Sequence, residues 1–208
     1  MEPYLHDFRL FCLAISMLRL GARPASVRHW VGFSRQRMRQ VARSYNANRG
    51  PNEPQLGTGP PPTGLKKLLK DAQLRTELTA AAALCQVLRV IPAHEVALEP
   101  DGGAKSVAAA EGMCRAFVLY KKLVPQGHLS LEHLMILVTA LARRDSWALE
   151  RCSRCDSFVL GDPLSLENRL CSECRDIAKP PKVWEPEPVM EVASLQDSNH
   201  TGYQHSLF

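Results

Sequence analysis

A chain of 208 residues with 45% hydrophobic and 23% charged content can bury a core of its own and is too apolar to be disordered throughout. Its formal net charge of +5 is unevenly spread: Phe8 to Asn52 holds nine arginines and no Asp, Glu or Lys, leaving 17 basic and 21 acidic residues elsewhere. A surface built from that segment attracts phosphates, and no stretch approaches the roughly 18 apolar residues a membrane span requires.

In chain order, Tyr4 to Leu20 has apolar residues near helical spacing (Leu5, Phe8, Phe11, Cys12, Ile15, Leu18) and ends at Gly21. Its apolar run Leu10–Leu18 follows Glu2 and Asp7 instead of a basic leader, so it reads as a buried helix and a cytoplasmic location is expected. Pro24 suits the first position of a short second helix through about Trp30, Gly32 permits a turn, and Ser34 is an N-cap candidate for a third helix reaching Tyr45 or Asn46. The prolines and glycines of residues 49–64 exclude regular structure there. Leu65 to Val90, Lys105 to Val124 and Leu131 to Arg151 read as helices, and the polar, Pro-rich residues 177–208 read as a disordered tail. The expected architecture is mainly α. A helix-turn-helix-like basic segment (1–48), an arm (49–64) and a helical body (65–151) precede a small four-cysteine zinc module (152–176).

Cys152-Ser-Arg-Cys155 and, with 15 residues between, Cys171-Ser-Glu-Cys174 have the spacing of a two-pair zinc site. Two thiolates three positions apart can meet an ion at one tight turn, and a second such turn opposite completes a tetrahedron. With four sulfurs filling it, one structural Zn2+ is expected, its charge offset by Arg151, Arg154, Arg169 and Arg175. Ser157 to Leu160 and Asn168 to Leu170 are candidate short strands. An iron centre or a redox disulfide uses the same four residues and stays open. Cys12, Cys85 and Cys114 fall in apolar helical stretches and read as small buried hydrophobes.

The third helix has two faces. Met38, Val41, Ala42 and Tyr45 line one side, with Val27, Val31 and Phe33 expected to pack against it. Gln36, Arg39, Gln40 and Arg43 line the other, where arginine can read guanine and glutamine adenine in a major groove. Arg28, Arg35 and Arg37 suit phosphates. Catalytic signals are thin: His128 and His133, beside Ser130, read as surface histidines, and no phosphate loop or nucleophile motif occurs, so no enzyme is expected.

Leu20-Gly21-Ala22-Arg23, Ser34-Arg35-x-Arg37 leading to Tyr45, Arg49-Gly50-Pro51 with its Pro-rich arm, and the two Cys-x-x-Cys pairs together resemble the flagellar transcriptional activator FlhC family. The resemblance spans residues 5–176. It implies a helical fold with a four-cysteine zinc site, a hetero-hexamer with an FlhD-like subunit, binding to promoter DNA, and activation of bacterial flagellar operons through RNA polymerase. Two other classes stay open: a zinc-containing adaptor that binds protein or RNA without sequence-specific DNA binding, and a redox sensor that releases zinc when its thiols oxidise.

Overall fold

The computed structural model describes residues 3–57, 59, 62, 64–91, 107–143, 147–162 and 169–178. The described chain runs α1 (Pro3–Arg19), α2 (Pro24–Val31), α3 (Arg35–Asn48), α4 (Leu65–Leu68), α5 (Ala72–Val87), α6 (Val107–Leu123), α7 (Leu131–Arg143), β1 (Ala148–Arg151), β2 (Phe158–Gly161) and α8 (Ser172–Ala178). It is mainly helical, with a four-cysteine cluster near the end of the described residues.

Local chemistry explains the first three helices. Pro24 opens α2 after an extended Arg23, and Gly32 closes it at φ +70°, donating its N–H to the Arg28 carbonyl at 3.0 Å. A side chain at Gly32 would meet no atom, so the left-handed φ, and not space, is what favours glycine there. Ser34 caps α3 by accepting from the Arg37 N–H at 3.1 Å. Val27, Trp30, Val31, Phe33, Met38, Val41 and Tyr45 are buried with Leu13, Ala14, Met17 and Leu18 of α1, so the three helices share one apolar interior. The arm follows the surface without helix or strand among its described residues. Tyr45 donates its hydroxyl to the Pro54 carbonyl at 3.3 Å and Glu53 pairs with Arg19 at 3.0 Å.

Leu65 to Val90 is not one helix. The chain breaks at Lys70 and Asp71 because both new ends are capped. Asp71 accepts from the Leu74 N–H at 3.0 Å, and the Arg75 guanidinium donates to the Leu69 carbonyl at 2.8 Å. The helix expected to reach Arg151 stops at Arg143. Ala148–Arg151 is instead an antiparallel strand paired with β2 in the register Ala148↔Gly161, Leu149↔Leu160, Glu150↔Val159 and Arg151↔Phe158. Ala, Leu, Glu and Arg all favour helix, and the ladder to β2 overrides that preference. Arg169 and Leu170, expected in a strand, lie in none, and Asn168 is outside the described residues. The expected tail contributes residues 177 and 178 to α8; the rest lies outside the described residues.

Helix α5 is central, packing on α6, α7 and both strands. Ala81 and Ala82 are fully buried on it, and their small side chains let its neighbours approach. Its one buried acid, Glu77, accepts from the Tyr120 hydroxyl at 2.8 Å and the Leu129 N–H at 2.7 Å, fastening α5 to α6 and to the turn before α7. A Cβ at Gly127 would run into that same Tyr120 hydroxyl, so the turn requires glycine. Across the body, buried Glu132 of α7 accepts from the Arg23 N–H at 2.7 Å, fixing the start of α2.

Burial pushes the Glu77 pKa up, but hydrogen bonds from Tyr120, the His128 and Leu129 backbone and Gln73 outweigh it and hold the carboxyl below its usual range. The folded state therefore binds this proton less readily than the unfolded chain, and the stability Glu77 contributes is lost as pH falls through the carboxylate range. Glu77→Ala should cost about 2–3 kcal/mol, because two buried donors lose their acceptor. That corresponds to a melting midpoint lower by roughly 5–10 °C in calorimetry. Glu77→Gln should flatten part of the acid dependence below about pH 4.5.

Candidate metal centre and basic helix face

The four cysteines expected to share an ion are brought together. Each offers one sulfur, and the four sulfurs of Cys152, Cys155, Cys171 and Cys174 lie within 4.8 Å of one another. Sulfurs bonded to one tetrahedral ion at about 2.3 Å would sit about 3.8 Å apart, and Cys155 and Cys171 stand at 3.6 Å. The donor set and spacing thus fit a metal ion, and four thiols of this kind could hold one.

Two turns build the cluster. After β1, the Cys152 carbonyl accepts the Asp156 N–H at 3.0 Å and the Cys152 N–H donates to the Ser157 carbonyl at 2.7 Å, closing the loop that carries the first pair. Asp156 takes φ +59° there, a left-handed conformation that Asp tolerates better than most residues. The second pair straddles the start of α8, with Cys171 just before it and Cys174 in its first turn. The Ser153 N–H donates to the Arg169 carbonyl at 2.9 Å, stitching one turn to the other. Arg169 also pairs with Glu150 at 2.9 Å, and Glu150 is buried.

The electrostatics favour ionised sulfur on one side of the cluster. Backbone N–H groups of Cys171 and Arg154 lower the Cys152 thiol to about 6. The Cys174 N–H, 3.4 Å from the Cys171 sulfur, holds that thiol down too. Cys174 is pushed up to about 12, chiefly because it shares hydrogen bonds with the thiols of Cys171 and Cys155. A cation entering the cluster therefore displaces protons, and its affinity should fall as pH falls. Two of the arginines expected to offset the thiolates face carboxylates instead: Arg169 meets Glu150, and Arg151 meets Asp156 at 3.4 Å while stacking on Phe158.

Sequence reasoning missed Glu150, Asp156 and Ser157 as supports of the cluster and gave Arg169 a charge-offsetting role in place of its tie to Glu150. For Glu150 the obstacle was the helical reading of its segment; for Arg169 the signal was only its place two residues before Cys171.

The second candidate site lies on α2 and α3. Arg28, Arg35, Gln36, Arg39, Gln40 and Arg43 are exposed, and among the described residues the four arginines of this set make no ion pair. Arg35, Arg39 and Arg43 recur every fourth residue, and Gln36 and Gln40 run beside them, so one face of α3 carries both rows. Arg37 stands apart: it is half-buried, lies 4.1 Å over the Phe33 ring and pairs with Asp7 at 3.3 Å. It is engaged within the fold rather than aimed outward. Arg9 and Arg19 are likewise paired, with Glu111 at 2.6 Å and Glu53 at 3.0 Å. His133 serves the fold as well: its Nδ1 accepts from the Ser130 N–H at 3.4 Å at the start of α7, and burial lowers its pKa. His128 is exposed.

No protein-family model and no curated protein matches the chain. None of the helices among the described residues is long and apolar enough to cross a membrane.

Replacing Glu150 with Ala leaves all four thiols but frees Arg169 and the stitch beside it. Metal affinity should drop tenfold to a hundredfold, as for other groups that orient ligands without touching the ion; competition with a chromogenic chelator measures it. Cys155→Ala should abolish stoichiometric binding in elemental analysis of the purified chain.

Proposed function

We propose that this chain is a non-enzymatic DNA-binding subunit of a transcription activator, with α3 as its reading helix and one structural Zn2+ at Cys152, Cys155, Cys171 and Cys174. The observation that carries the reading is the exposed, acid-free row on α3, reached only after the fold has neutralised other arginines of the same segment. At about 1.5 Å per residue, α3 is about 21 Å long, enough to cross a major groove about 12 Å wide.

In this reading α2 and α3, joined through Gly32, Phe33 and Ser34, act as a helix-turn-helix-like pair. Gln36, Arg39, Gln40 and Arg43 meet base edges, while Arg28 and Arg35 neutralise phosphates. Arg37 holds α3 against α1 instead of contacting DNA. The zinc would have a closed shell of four sulfurs with no position for water or substrate, so its contribution is to hold two turns together. The motif resemblance extends the proposal. The chain would work in the bacterial cytoplasm with an FlhD-like subunit in a hetero-hexamer, recruiting RNA polymerase to flagellar promoters.

Co-expression with an FlhD-like subunit, followed by a promoter shift assay across a salt series, tests this. Arg39→Ala and Arg43→Ala should each weaken promoter binding, by about 1–3 kcal/mol where the side chain reads a base. Loss of a phosphate contact at Arg28 or Arg35 should reduce the slope of log affinity against log salt by about 0.9. Arg37→Ala should lower the melting temperature more than the affinity. Equal binding to promoter and unrelated duplex would instead favour an adaptor for RNA or protein.

A further inference from the structure

A groove between α1 and α6 lies outside both sites. It encloses about 490 Å3 and is lined by Leu20, Val118 and Leu119 together with Arg19, Arg115 and Lys122. On α6, Arg115, Val118, Leu119 and Lys122 recur at i, i+3, i+4 and i+7, so one helix face sets two apolar side chains between two cations. Exposed apolar side chains also stand elsewhere on the two helices: Phe8 on α1 is 66% exposed and Leu123 on α6 is 65% exposed. Helix α1 buries Leu13, Ala14, Met17 and Leu18 in the core, whereas Val118 and Leu119 of α6 stay 39% and 38% exposed at the groove. An apolar groove left open between two helices is where a partner can bury side chains of its own.

We propose that this groove docks an amphipathic helix of a partner polypeptide, about two turns long, with acidic residues flanking its apolar stripe. Its length follows from α6, where Arg115 to Lys122 spans about 11 Å of helix. Its charge follows from the pairing on the two walls. Helices α1 and α6 carry one acid each, Asp7 and Glu111, and both are engaged, with Arg37 at 3.3 Å and Arg9 at 2.6 Å. Arg115 and Lys122 make no ion pair among the described residues. A second copy of this chain docked by two-fold symmetry would set these cations against their own kind. A bilayer would meet the cations but would not enter the concave floor, whereas a helix laid in the groove reaches both.

A photo-cross-linking amino acid at Leu119, with a control at Thr76 on the exposed side of α5, tests the full chain in its own cells. The expected adduct forms from Leu119 alone, and its sequenced segment is an acidic amphipathic helix. A synthetic peptide of that segment should bind the purified chain, and Lys122→Glu should weaken it at least tenfold, more so with Arg115→Glu. Changing the peptide's flanking acids to lysine should restore binding to the reversed groove. An adduct to a second copy, to lipid or to a non-acidic segment overturns the proposal. So do equal adducts from both positions, no adduct, or charge reversal that leaves affinity within twofold. No step uses DNA: a chain that takes the acidic helix but ignores promoters keeps the groove and loses the reading of α3.

Discussion

Helix α5 touches α6, α7 and both strands, so how closely its neighbours can approach sets the frame for everything else. Alanines at 81 and 82 bring two helices in; a larger side chain at either would push α6 or α7 outward in a core with no room to yield. The closeness has a polar lock. Glu77 is taken out of water, which is unfavourable alone, and is stabilised because the Tyr120 hydroxyl and the Leu129 N–H both point at it. Since Leu129 leads directly into α7, one carboxylate fixes three elements, and α7 then carries Glu132 to the start of α2. The orientation of the basic helix pair thus traces back to two buried acids that lie on neither α2 nor α3.

Folding sorts seven of the nine arginines of the basic segment into two groups. Arg9, Arg19 and Arg37 find acids from the arm, α6 or the first turns of α1 and act as ties between elements. Exposed ties of this kind contribute little stability each, but they remove charge from the field that a phosphate would feel. Arg28, Arg35, Arg39 and Arg43 keep theirs. The positive potential is therefore narrower than the composition of the segment implies, with three of these four arginines on one helix, α3, which is the condition for a directed contact rather than diffuse attraction.

The cysteine cluster was legible because its information is local: spacing alone brings each pair to one turn, and few other uses fit two such pairs. The first three helices were legible for a similar reason, since Pro24, Gly32 and Ser34 mark their ends in the chain itself. What could not be read depends on contacts that the local pattern of residue types does not reveal. Ala148–Arg151 has helical composition and becomes a strand only because Phe158–Gly161 lies beside it. Asp71 breaks a pattern that its apolar neighbours continue, and the break holds because Arg75 reaches back to the Leu69 carbonyl. Arg37 looks like its neighbours until Asp7, 30 residues away, is placed next to it.

The same geometry bears on how the two candidate sites relate. The cysteine segment buries little apolar surface of its own: among its described residues only Leu160 joins the core cluster, beside the buried sulfurs of Cys152 and Cys174. Its order rests on β1 and β2 packing on α5, and an ion held by the thiols would add to it. Helix α3, by contrast, packs on α1 and α2, and α1 meets the body at α6. A disturbance at the thiols can reach the basic face through α5 and then α6 or α7, the latter by way of Glu132 and the Arg23 N–H. Loss of an ion held there would loosen the strands first and leave the row on α3 in place, unless the displacement of α5 were large enough to release Glu77 from Tyr120.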